Sequence, residues 1–105
     1  MPDKFDNVSV VKKANVFFDG KCVSHSVLFA DGTRKTVGVI MPGSQLTFNV
    51  STPELMEITG GECEVKIAGE TDFKPYTAGM HFNVGANSSF EIFAKDAVNY
   101  VCSFG

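Results

Sequence analysis

No stretch of this chain keeps a helical apolar period of 3.6 residues for even three turns. Short apolar runs instead alternate with polar residues and are cut by Gly, Pro, Asn and Asp, the signature of strands joined by tight turns. Leu46–Val50 shows it plainly: Leu46, Phe48 and Val50 alternate with Thr47 and Asn49. After the Ser51-Thr52-Pro53 break, Leu55, Met56 and Ile58 resume the apolar character, and Glu62–Ile67 alternates again. Gly60-Gly61 between them has the backbone freedom of a turn, so these two runs are expected to form a β-hairpin. Further strands are expected at Phe17-Phe18, at Cys22–Phe29 (Val23, His25, Val27 and Phe29 on one parity) and at Arg34–Met41. Met80–Val84, Phe90–Phe93 and Tyr100–Phe104 follow. Ala30-Asp31-Gly32-Thr33, Pro42-Gly43 and Lys95-Asp96 read as turns, and Thr71-Asp72 and Lys74-Pro75 as loops around Phe73. About eight or nine short strands at this spacing predict a single all-β domain, a sandwich or barrel.

A chain of 105 residues suits one core rather than two. Its net charge of −3 leaves no basic face for nucleic acid. No apolar run approaches the roughly 20 residues of a membrane helix, and the first fifteen or so residues lack the apolar h-region of a secretory signal. Cys22, Cys63 and Cys102 stand about 40 residues apart with no C-x-x-C, against a disulfide framework or zinc knuckle. They read as small apolar core residues, and the cytoplasm is the expected compartment. Residues 1–14 read as an N-terminal extension packing loosely on a neighbour, with Pro2-Asp3 able to start a helical turn; the domain proper is residues 15–105.

The order of these parts resembles the cupin family. A cupin's first motif sets two His one residue apart, then a Glu, then a Gly; its second opens on Gly and closes on a third His. Glu54 and Gly61 keep the first spacing, and Gly79 with Gly85-Ala86-Asn87 keeps the second. Thr47, Asn49 and Phe90 occupy the three His positions, so only Glu54 survives of the usual metal quartet. Transition metals prefer imidazole or thiolate, so the resemblance implies a jelly-roll barrel but no metal and no other cofactor. It also places Thr47 and Asn49 inside the barrel. Phe48 would then face outward, and an apolar outer face suggests a homodimer interface.

The resemblance extends to one cupin subfamily. Val37-Gly38-Val39, Thr47-Phe48, Pro53-Glu54, Met56, Gly61, Thr71-Asp72, Tyr76 with Ala78-Gly79, Phe82-Asn83-Val84, Ser88 with Phe90, and Tyr100 with Cys102 are similar to the small bacterial pyrimidine/purine nucleoside phosphorylases. The match runs from about Asn15 to the C-terminus, with Gly85 where a proline is usual. It implies a metal-free homodimer that cleaves purine and pyrimidine nucleosides with phosphate as co-substrate, giving free base and (deoxy)ribose 1-phosphate.

Such a reaction passes through an oxocarbenium-like sugar, by analogy with glycoside hydrolysis. It needs an anion site for phosphate, a group near the sugar cation, and a tolerant slot for the base. Phosphate is the nucleophile, so no activated Ser or Cys is required. Arg34 is the candidate phosphate ligand, because a guanidinium holds an oxyanion bidentately; Lys35 could serve instead, and a solvated residue beside a turn is the plain alternative. Glu54 is the candidate for the ribose hydroxyls or the oxocarbenium charge, set against a simple surface carboxylate after Pro53. Thr47 and Asn49, if inward, must be hydrogen-bonded, which makes them candidates for binding substrate. Phe82 and Phe90 could stack on any base, and the Tyr76 hydroxyl could reach a base edge, though aromatic residues in a barrel also serve as core. His25 and His81 match no ligand position and read as surface or satisfied strand histidines. Two other functions compete. A cupin that binds a nucleoside or sugar without turnover shares every one of these features; a metal-dependent dioxygenase or isomerase is opposed by the loss of the three motif histidines.

Overall fold

The computed structural model describes residues 3–105 and is built almost wholly of antiparallel strands. In chain order they are β1 (Ser9–Val10), β2 (Asn15–Phe17), β3 (Cys22–Leu28), β4 (Arg34–Ile40), β5 (Gln45–Val50), β6 (Glu54–Gly60), β7 (Glu62–Ile67), β8 (Lys74–Thr77), β9 (His81–Val84), β10 (Ser88–Ala94) and β11 (Val98–Phe104). One sheet runs β1-β3-β4-β11-β6-β9 with β2 also on β3, and the other runs β5-β10-β7-β8. The two face each other across one core, with Ile40, Ile58, Val84 and Val98 of the larger sheet against Val65 and Ile92 of the smaller. This is a jelly-roll barrel. Among the described residues no helix is long and apolar enough to cross a membrane.

The Gly60-Gly61 pair does not close a hairpin. β6 pairs with β11 and β9, whereas β7 pairs with β10 and β8, so the glycines carry the chain from one sheet to the other. The corner is fixed from outside. The Glu62 amide donates to Asp96 Oδ1 at 2.7 Å, and Gly61, at φ +83°, lies where a Cβ would run into the Ala97 carbonyl. Two alternating runs around a Gly-Gly look alike locally in either case; the long-range partner of each strand decides between them.

The face of β5 is likewise the reverse of the expected one. Leu46 and Val50 are buried and Phe48 is half-buried against the core, while Thr47 and Asn49 are exposed. Period two permits only one of these sets inside, and burying three apolar side chains outweighs any motif-based placement. Phe48 is therefore no outward anchor, and the interface inferred from it falls. On β3 the core takes Cys22 and Ser24, so Val23, His25 and Val27 belong to the opposite face. Lys74–Thr77 is an edge strand rather than a loop, with Pro75 opposite Glu64 at a position where an edge tolerates a missing N–H.

Residues 1 and 2 of the predicted extension, and with them the Pro2 half of its helix-start signal, lie outside the described residues. The remainder lies on β3. Ser9 and Val10 pair with Leu28 and Val27, the Val11 amide donates to the Ser26 carbonyl at 2.9 Å, and Phe5 meets the Phe29 ring edge-on at 5.1 Å. Val27 is thereby left only 2% exposed on what is otherwise an outer face.

Candidate active site

Between the sheets lies a cavity of about 320 Å³, within the range of small-molecule sites. Its two walls differ in chemistry. The larger sheet supplies polar groups because β4, β6 and β11 alternate in step: Arg34, Thr36 and Gly38, then Glu54 and Met56, then Tyr100, Cys102 and Phe104 share the inward face. Register puts Cys102 beside Thr36 and Met56, and Phe104 beside Glu54. The smaller sheet supplies aromatic surface. Phe48 stacks on Phe90 with centroids 5.2 Å apart and planes 18° from parallel.

At the mouth, Phe17 precedes a tight turn in which Phe18 (φ 53°) and Asp19 (φ 55°) are both left-handed. Two such non-glycine residues cost about 1–3 kcal/mol each. The turn sets the Phe18 ring edge-on against Phe48 at 5.2 Å, so the strain is spent on the aromatic wall.

Arg34 is exposed at the rim, its guanidinium 4.5 Å from the Phe104 ring centroid, and its Nη1 donates to Ser26 Oγ at 3.3 Å. No carboxylate pairs with it among the described residues, so its charge is available to an anion. Lys35 cannot substitute, because the opposite parity turns it to the outer face, over the rings of Phe5 and Phe29. Glu54 is half-buried, and Cys102 Sγ donates to its Oε1 at 3.4 Å. Burial raises the Glu54 pKa and the thiol contact draws it partly back. Burial, with the Glu54 carboxylate beside it, pushes the Cys102 thiol up to about 12. Burial also raises Tyr100, whose hydroxyl lies 3.4 Å from Cys22 Sγ. Both groups are therefore protonated donors at neutral pH.

Of the residues singled out from sequence, the cavity brings together Arg34, Glu54, Asn49 and Phe90. Asn49 reaches it from the exposed edge of β5 and not from the barrel interior. Thr47 is elsewhere, in a shallow hollow on the outer face of the smaller sheet with Lys66 and Glu91. Tyr76 and Phe82 are also outside the lining: Tyr76 packs on Phe82 at 5.1 Å and Phe82 on Phe90 at 5.3 Å, so they buttress Phe90 from behind. Phe48, Thr36, Tyr100 and Cys102 were missed. For Thr36, Tyr100 and Cys102 the signal was the shared parity with Arg34 and Glu54, legible only once strand partners are known; for Phe48 it was the alternation with Leu46 and Val50 in its own strand. No three His, Cys, Asp or Glu side chains converge to hold a metal among the described residues; the cavity offers Glu54 and Cys102 alone, a thin donor set for a cation. His25 Nδ1 lies 3.1 Å from the Val11 carbonyl, and His81 is exposed on β9.

The family model for pyrimidine/purine nucleoside phosphorylase matches residues 12–104. The chain belongs to the pyrimidine/purine nucleoside phosphorylase family. A relative from Dechloromonas aromatica bearing that name is 63% identical over 102 residues, which span 97% of this chain and 98% of the relative. Among solved structures, a protein of unknown function from Acinetobacter sp. ADP1 superimposes with a TM-score of 0.94 at 50% identity, covering 97% of this chain and 98% of that one. An RmlC-like cupin from Shewanella frigidimarina gives a TM-score of 0.71 at 14% identity over 96% of this chain and 86% of its own. That likeness shows the fold alone, and the fold of this phosphorylase-family chain is a cupin barrel.

Proposed function

We propose that the protein cleaves purine and pyrimidine nucleosides with phosphate, releasing the free base and (deoxy)ribose 1-phosphate. One observation carries the reading: a guanidinium with no carboxylate partner among the described residues and a half-buried carboxylate share a cavity whose opposite wall is aromatic. Arg34 holds the phosphate at the rim. Glu54 faces the sugar, binding its hydroxyls and countering the positive charge that develops at C1′. A phosphate oxygen bonds to C1′ as the C1′–N bond breaks, its electron pair leaving with the base, which takes up a proton. Phe48 and Phe90 give the base an aromatic wall to pack on, with Asn49 at the edge. Stacking accepts either base class, which supports broad specificity. No metal or other cofactor enters this scheme.

We also propose a homodimer, now through the outer face of the larger sheet. There Val16, 63% exposed, is in register with Val23 and Val23 with Val39, and Val37 lies beside Val101. This apolar ladder suits a second copy. Three free cysteines support a cytoplasmic setting.

The test is phosphate-dependent consumption of inosine and uridine, read as base released and sugar 1-phosphate formed, with and without a chelator. Turnover of both, lost on omitting phosphate and indifferent to the chelator, is expected. Binding without turnover would leave a nucleoside-binding cupin instead, and loss of activity to the chelator would overturn the metal-free scheme.

A further inference from the structure

Three cysteines look alike in the sequence, but their surroundings differ. Cys63 Sγ donates to the Tyr76 carbonyl at 3.6 Å within the core, and Cys22 sits behind the Tyr100 hydroxyl. Cys102 alone faces the cavity, where its Sγ contacts Glu54 Oε1 across the β11–β6 pairing at 3.4 Å. It is the only hydrogen-bond partner that the Glu54 side chain has among the described residues.

We propose that Cys102 is a positioning residue: its S–H holds Oε1 of Glu54 and leaves Oε2 free for the substrate. The proposal rests on the reading of Glu54 as the group that faces the sugar. A thiol suits the task. It is small enough to sit between Thr36 and Met56 on the neighbouring strands, and it remains protonated across the working range, so it donates without adding a second anion. A glutamate in a half-buried site would otherwise gain a proton too easily and swing among its rotamers.

The remaining groups facing Glu54 are few. From β4 come Arg34 and Thr36 and from β11 Tyr100 and Phe104 as well as Cys102, while β9 presents Val84, and the opposite wall presents Asn49, Phe48 and Phe90. Arg34 is the one permanent charge among them. Burial raises the Glu54 carboxyl and the Cys102 contact lowers it, so removal of the thiol changes its titration directly.

The experiment uses the full chain labelled with ¹³C at the Glu side-chain carboxyl, the Glu54 signal being assigned by its loss in Glu54→Gln. In Cys102→Ala the Glu54 carboxyl should titrate at higher pH than in the parent. The acid limb of kcat/KM for inosine should move with it, while turnover on the alkaline side changes by no more than about 3-fold, the scale of one weak hydrogen bond. Phosphate's own second ionisation falls nearby, and the residual activity of Glu54→Gln supplies that background curve. Cys102→Ser, a stronger donor, should carry the Glu54 titration and the acid limb below the parent position. An unmoved Glu54 titration in Cys102→Ala overturns the proposal. Should the alanine variant not fold, a Glu54 titration that serine leaves unchanged overturns it equally. If the titration moves but Glu54→Gln keeps full turnover, the reading of Glu54 itself fails and the thiol positions nothing catalytic.

Discussion

At Arg34 and Glu54 the two charges of the proposed reaction are separated, and substitutions there should separate kinetically. Arg34→Ala removes the oxyanion partner, so KM for phosphate should rise more than KM for nucleoside, in initial-rate measurements with each substrate varied. Glu54→Gln keeps shape and loses charge; turnover should fall by about 10²-fold, the roughly 3 kcal/mol scale of one preorganised contact. The same variant should also stabilise the fold at neutral pH. Because burial raises the Glu54 pKa, the folded state binds its proton more tightly than the unfolded one. Stability therefore falls as pH rises from the ordinary carboxylate range through the raised value, and glutamine escapes that loss. Melting curves should show Glu54→Gln above the parent at neutral pH, the gain vanishing below the ordinary carboxylate pKa. Thr47→Ala, whose side chain lies on the outer face of the smaller sheet, should leave both Michaelis constants unchanged, whereas Asn49→Ala should raise that for nucleoside.

Among the elements, β4 and β11 carry the polar wall, and their fit turns on Gly38. It is the register partner of Tyr100, and a Cβ there would stand 2.7 Å from the ring and the hydroxyl. The ring thus lies across the glycine, with its hydroxyl beside Cys22. Gly38→Ala should push that ring toward the cavity, at about 1–3 kcal/mol of overpacking. A lowered denaturation midpoint together with a raised KM for nucleoside is the expected pair of results; an unchanged midpoint would mean that the strand pair gives way freely. Strand parity was legible on most elements. Alternation in β5, β7 and β9 gave their existence, but a motif-based placement misassigned the face of β5 while its own apolar set pointed the right way.

For the molecule as a whole, the apolar ladder from Val16 to Val39 sets the expectation of a dimer, checked by light scattering at micromolar concentration. Val39→Glu, on the outer face, should give a folded monomer by charging that patch. The N-terminal segment is a separate matter. Its contacts to β3 cover Val27 and bond the Ser26 carbonyl, so deleting residues 1–14 should lower the melting temperature while sparing the cavity, whose lining begins at Asn15. The sequence by itself determined most of the strands and the single all-β domain, because period-two alternation and turn chemistry are local; it offered Arg34 and Glu54 as separate candidates, and the fold brings both to one cavity. Only the tertiary structure decided that Gly60-Gly61 joins two sheets, that Phe48 rather than Thr47 faces inward, and that Cys102 meets Glu54. Each depends on which strand lies beside which, and residues 48 positions apart, as Cys102 and Glu54 are, come together through β11–β6 register that no local pattern encodes.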